Sequence, residues 1–129
     1  MGGAMDKRLM KLQSVSTTLL DIELFKLKKI AVEQNRISEA LLDIQNAKRQ
    51  QSIELTNTNG LEASLRAGVN TKWDAWCIQK STSLNQERAA LRVEMESQLK
   101  KTQEMFGRSD AVKTLVKRQA GLIKKKANS

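Results

Sequence analysis

The chain has 129 residues, a formal net charge of +9 and only 3% aromatic residues. One domain is expected at this length, but too few aromatics are present for a usual compact core. It has no histidine and one cysteine, which removes the commonest general base and metal ligand, a zinc site of the usual kind and an internal disulfide framework.

The chain begins Met1-Gly2-Gly3-Ala4 ahead of Met5. Residues 1–4 are expected to be an expression remnant before a natural initiator. No stretch approaches the ~20 apolar residues that span a bilayer, and no signal-peptide pattern is present. A cytoplasmic protein is the expectation.

Helix 1 is expected over about 6–56. Proline is absent, and proline is the usual helix breaker. Leu12, Val15, Leu19 and Ile22 follow a 3-4-3 spacing, and Ile30, Ile37 and Ile44 repeat every seven. Leu19 to Ile30 is an eleven-residue step, expected as a stutter in a coiled coil. Leu20, Leu24, Phe25 and Leu27 widen the apolar face there, as a second packing face or a partner-binding face.

The tip is expected within about 57–71. Asn59-Gly60 is a turn signal. Gly68 serves equally as the residue ending helix 1, with Asn70 or Thr71 capping helix 2. With the bend near 64, Leu12 is expected across from Val116, and Ile30 near Leu99.

Helix 2 is expected over about 72–126. Its apolar stripe includes Trp73, Trp76, Leu84, Leu91, Met95, Leu99, Phe106, Val112, Leu115 and Val116. Met95, Leu99, Thr102 and Phe106 make another eleven-residue step. Gly107 is expected either to kink the helix, with Ser109 capping a new start, or to sit in a continuous one. The fold class is therefore all-α, a long antiparallel two-helix coiled coil. The same heptads also suit a parallel dimer or a four-helix assembly of two hairpins.

Chemistry is sparse. No glycine-rich phosphate loop occurs, and carboxylates such as Glu94 and Glu96 sit two apart, which faces them away from each other on a helix. Cys77 has no partner nearby in sequence to activate it. No enzyme, cofactor or metal is expected.

Charge and aromatics are unevenly placed. Lys7, Arg8 and Lys11 open helix 1, and Lys113, Lys117, Arg118, Lys124, Lys125 and Lys126 close helix 2. In an antiparallel hairpin both groups gather at the open end. Cations suit a helix C-terminus, which accounts for part of the cluster; the rest points to an acidic surface. Nucleic-acid association is the rival, although no aromatics interleave the basic residues and no specific nucleic-acid motif is present. Trp73 and Trp76 lie three apart at the other end, either plugging the hairpin or anchoring an interface.

Two stretches carry a resemblance: Leu41-Leu42-Asp43-Ile44-Gln45-Asn46 with Arg49-Gln50-Gln51, and Ala67-Gly68-Val69 followed by Trp73 and Trp76. They resemble the FliJ family of flagellar type III export proteins, relatives of YscO-type injectisome stalks. The resemblance implies a two-helix coiled coil like the central stalk of a rotary ATPase. It implies a non-enzymatic coupling protein whose partners are a FliI-like export ATPase hexamer, the cytoplasmic domain of a FlhA-like export gate, and export chaperones. Membrane association would be peripheral, at the inner membrane, through those partners. By motif, Ile37, Leu41, Ile44 and Lys48 would form the gate-binding surface, with Trp73 and Trp76 near it. Lys7, Arg8, Lys11, Lys113, Lys117 and Arg118 would then face the ATPase ring. A basic nucleic-acid-associated coiled coil and a structural oligomerisation module remain the alternatives.

Overall fold

A computed structural model describes residues 2–57 and 60–128. The fold is all-α: α1 (Gly2–Thr56) and α2 (Leu61–Asn128) pack against each other as a helical hairpin. The connection is shorter than expected. Asn57 donates its amide to the Glu54 carbonyl at 3.2 Å, which tightens the end of α1. Gly60 has φ +82°, a left-handed conformation that costs glycine nothing and other residues strain. The Asn-Gly turn signal therefore marks the bend at its glycine; Thr58 and Asn59 lie outside the described residues.

The other expected tip residues are helical. Gly68, Asn70 and Thr71 all lie inside α2, and the Thr71 hydroxyl donates to the Ala67 carbonyl one turn back, at 2.9 Å. Helix propensity outweighs a single glycine, whose cost is only about 1 kcal/mol. Gly107 is likewise passed without a break, and Ser109 is buried rather than capping.

The chain divides into two compact units, one of residues 1–30 with 94–129, the other of residues 31–93. In each, a segment of α1 runs antiparallel to a segment of α2. The pairs Glu23 with Gln98, Arg36 with Glu87, and Gln51 with Asn70 centre within a residue of Leu61. The register is thus set by the turn at Gly60 rather than by a bend near 64. As a consequence Val116 shares a hollow with Leu9 and Met10, not with Leu12.

In the first unit, the α1 residues turned inward are Leu9, Gln13, Ser16, Leu20, Glu23, Leu27 and Ile30. They follow an unbroken 3-4 alternation, the spacing of a coiled-coil seam. This is a correction to the expected stripe. Leu12, Val15, Leu19 and Ile22 are exposed, and no stutter interrupts α1. Facing them on α2 are Met95, Gln98, Thr102, Met105, Ser109, Val112, Val116 and Gln119, again three and four apart. Leu99 and Phe106, expected in the stripe, face outward.

This seam is half polar. Its centre is a hydrogen-bonded layer: the Gln98 amide donates to the Glu23 backbone carbonyl at 3.1 Å and also to the Glu23 carboxylate. The Thr102 hydroxyl donates to the Gln98 carbonyl at 2.8 Å. A buried polar layer of this kind specifies register at a cost in stability.

In the second unit the α1 seam is Gln34, Ile37, Leu41, Ile44, Lys48, Gln51 and Leu55. On α2 it is Asn70, Trp73, Cys77, Ser81, Leu84 and Leu91. From Asn70 the steps are three, four, four, three and seven. Trp73 to Leu84 is thus an eleven-residue step, the signature of a stutter, which lies here and not at the two sites expected from sequence. Ile37 and Cys77 are fully buried.

Candidate docking surfaces

Length, spacing and burial leave little room for an enclosed site, and the functional candidates are surfaces. In the first unit, Lys7, Arg8, Lys11, Lys113, Lys117 and Arg118 are all exposed. The two segments that bear them pack together. Asp6, Leu9 and Met10 of α1 and Val116, Gln119 and Ile123 of α2 line one open hollow of about 240 Å³. The six cations therefore belong to one neighbourhood around a mainly apolar floor. The unit holds fifteen Lys and Arg against seven Asp and Glu, a net of +8. The second unit holds eight against seven, a net of +1. Nearly all of the chain's excess charge is thus in one unit.

Another hollow in this unit, about 360 Å³, is lined by Lys26, Lys29 and Ile30 of α1 and by Glu94, Gln98 and Lys101 of α2, among others. Lys26 reaches the Glu23 carboxylate at 3.5 Å, and the Lys29 ammonium stands 5.0 Å from the centre of the Phe25 ring. The Gln98 hydrogen bond, helped by Lys26 and Lys101, holds the Glu23 carboxyl below its ordinary value. These groups favour the ionised form.

The second unit carries the other six candidates, and they divide by burial. Ile37 is 0% exposed and belongs wholly to the seam. It takes no part in a docking surface while the helices stay paired. Leu41, Ile44, Lys48 and Trp73 are also seam positions but only half-buried, so part of each side chain remains open to a partner. Trp76 is 53% exposed. Trp73 and Trp76 share a face only in part: three residues apart, one turns into the seam and the other out of it. Trp73 thus does the plugging and Trp76 is left as the available anchor.

Sequence reasoning missed the exposed aliphatic residues of this unit. Val32, Leu42, Val69 and Ile78 are all more than half exposed. Leu42 and Ile78 each directly follow a seam residue, Leu41 and Cys77, and spacing alone does not tell such a neighbour from the seam position itself. Among the described residues no cluster of acidic or thiol side chains has the arrangement of a metal site. No helix is long and apolar enough to cross a membrane. Comparison of the chain with models of known protein families, with curated proteins and with solved structures gives no match.

Proposed function

We propose that this chain is a non-enzymatic stalk and coupling protein of a type III, flagellar-like export apparatus, linking an export ATPase ring to an export gate and assisting export chaperones. It would work in the cytoplasm and reach the inner membrane only through those partners. The observation that carries the reading is the separation of surface character between the two units. One bears a net charge of +8, with six exposed cations on the two segments that also line an apolar hollow. The other is nearly neutral and exposes Trp76 on α2, with Leu41 and Ile44 half-buried on α1. A protein with two unlike surfaces can engage two unlike partners. Coupling then needs only that each partner's state changes its affinity for its own surface.

The test pairs two sets of variants. Lys117→Glu with Arg118→Glu is expected to weaken binding to the ATPase hexamer and to lower its stimulated turnover, because charge reversal would turn attraction to an acidic partner surface into repulsion. Leu41→Ala with Trp76→Ala is expected to weaken a gate pull-down while circular dichroism stays helical. Ring binding and stimulation unchanged by the first pair would remove the ring assignment. Normal gate capture by the second pair would remove the gate assignment.

The +8 charge also supports one second reading, non-specific binding to nucleic-acid phosphates. Such binding falls steeply with salt. Tight, salt-sensitive binding to duplex or single strands, with no binding to the ring, would favour it.

A further inference from the structure

The most apolar face of α1 in the first unit is not the face that α2 covers. Leu12, Val15, Leu19 and Ile22 are between 42% and 52% exposed. Each stands one residue before a seam position, at Gln13, Ser16, Leu20 and Glu23. The stripe therefore runs beside the seam with the same 3-4 spacing, about 100° around the helix. The covered face, in contrast, includes the polar Gln13, Ser16 and Glu23, of which Glu23 is hydrogen-bonded to Gln98.

Continued at the same spacing, the stripe reaches Lys26 and Lys29. Both line the hollow that Lys101 closes from α2. One flank of α1 thus presents four aliphatic side chains and then Lys26 and Lys29, which share a hollow with Lys101 of α2 and with Glu94, Glu23 lying beside Lys26.

We infer that this flank is the docking site of an acidic amphipathic helix from a partner protein. That helix would lay its own apolar 3-4 stripe on Leu12, Val15, Leu19 and Ile22 and its carboxylates against Lys26, Lys29 and Lys101, forming a three-helix coiled coil. Three observations select this occupant. A stripe that keeps the spacing of the seam stays in contact along its length only with another coiled helix. The unit's net charge of +8 disfavours a second copy of itself and favours an acidic chain. Both tryptophans, the usual anchors at a lipid interface, lie in the other unit, at Trp73 and Trp76. The site is independent of the export reading, because none of the six cations assigned to the ring takes part in it.

The probe is a fluorescent designed peptide of three heptads, with leucine at alternating third and fourth positions and glutamate at the flanking ones. Its counterpart has lysine in place of glutamate. Fluorescence anisotropy with the full chain is expected to show binding of the glutamate peptide and not of the lysine one. Leu19→Gln with Ile22→Gln is expected to weaken binding about tenfold or more, since two apolar contacts are lost. Lys26→Gln with Lys29→Gln, which leaves the stripe intact, is expected to weaken it severalfold and to flatten its salt dependence. Circular dichroism of both pairs is expected to match the parent.

Equal binding of both peptides, or binding indifferent to both variant pairs, overturns the inference. So does loss of helicity in Leu19→Gln with Ile22→Gln, which would make the stripe part of the fold. A dimer by light scattering that this pair dissolves would assign the flank to a second copy. Binding to phosphatidylcholine–phosphatidylglycerol vesicles in place of the glutamate peptide would assign it to a membrane.

Discussion

Glu23 shows how much one side chain depends on its neighbours. In sequence it is an ordinary surface carboxylate beside Lys26. In the fold it lies at the seam and accepts the Gln98 amide both at its backbone carbonyl and at its carboxylate. Its folded pKa is depressed, so it contributes stability above its unfolded value. That contribution is lost as pH falls from about 4.5 through the lower folded value. Glu23→Gln is expected to make thermal stability less sensitive to acid below that point, as measured by melting monitored at successive pH values. Ile37 makes the complementary case. With no exposed surface, Ile37→Ala is expected to cost about 2–5 kcal/mol in a denaturant titration. Leu42→Ala, at an exposed position five residues on, is expected to change stability by no more than about 0.5 kcal/mol.

At the scale of elements, glycines divide the turn from the helices. Gly68, Gly107 and Gly121 lie inside α2, and a Cβ at each would meet nothing within 4 Å. Gly68→Ala and Gly107→Ala are each expected to stabilise the chain by about 0.5–1 kcal/mol, because alanine is the better helix former and an open site accepts it. Gly60 also has open space around it, but its φ of +82° disfavours a side chain. Gly60→Ala is expected to destabilise by roughly 1–2 kcal/mol. Melting curves of the three variants check the contrast. Gly60 follows Asn-Thr-Asn, whereas Gly68 follows the good helix formers Arg66 and Ala67, so local propensity already favours a helix through Gly68. The φ angle of Gly60 bears out that difference. The stutter moved for a related reason. Spacing put it at Leu19–Ile30 and at Met95–Phe106, yet it lies at Trp73–Leu84, where Cys77 and not Trp76 enters the seam.

Across the whole molecule, charge is the property that distinguishes one unit from the other. The first holds a net +8 and the second +1. If the basic surface and the tryptophan-bearing surface engage different partners, their affinities should respond differently to salt. Binding through Lys113, Lys117 and Arg118 is expected to weaken steeply as ionic strength rises, because exposed charges are screened beyond about 10 Å at 0.1 M salt. Binding through Leu41 and Trp76 is expected to change little. Pull-downs of each partner across a salt series check this, and equal salt slopes would count against two separate surfaces.

The amino-acid sequence by itself determined that the chain is helical, that it has two long helices and one bend, and where its cations and tryptophans stand along them. Those properties follow from local propensity, from the absence of proline and from charge counts. The exposure of Lys7, Arg8, Lys11, Lys113, Lys117 and Arg118 was legible because charged side chains are seldom buried unpaired: all six lie on the surface. Which apolar stripe is covered was decided only by tertiary structure. On α1 two sets of 3-4 spaced positions run one residue apart, Leu12-Val15-Leu19-Ile22 and Leu9-Gln13-Ser16-Leu20-Glu23. Hydropathy favours the first. The turn at Gly60 sets the register with α2, and the Glu23, Gln98 and Thr102 hydrogen bonds hold the second inward. A helix's own periodicity cannot choose between adjacent stripes, because the choice depends on which residues of the other helix stand opposite.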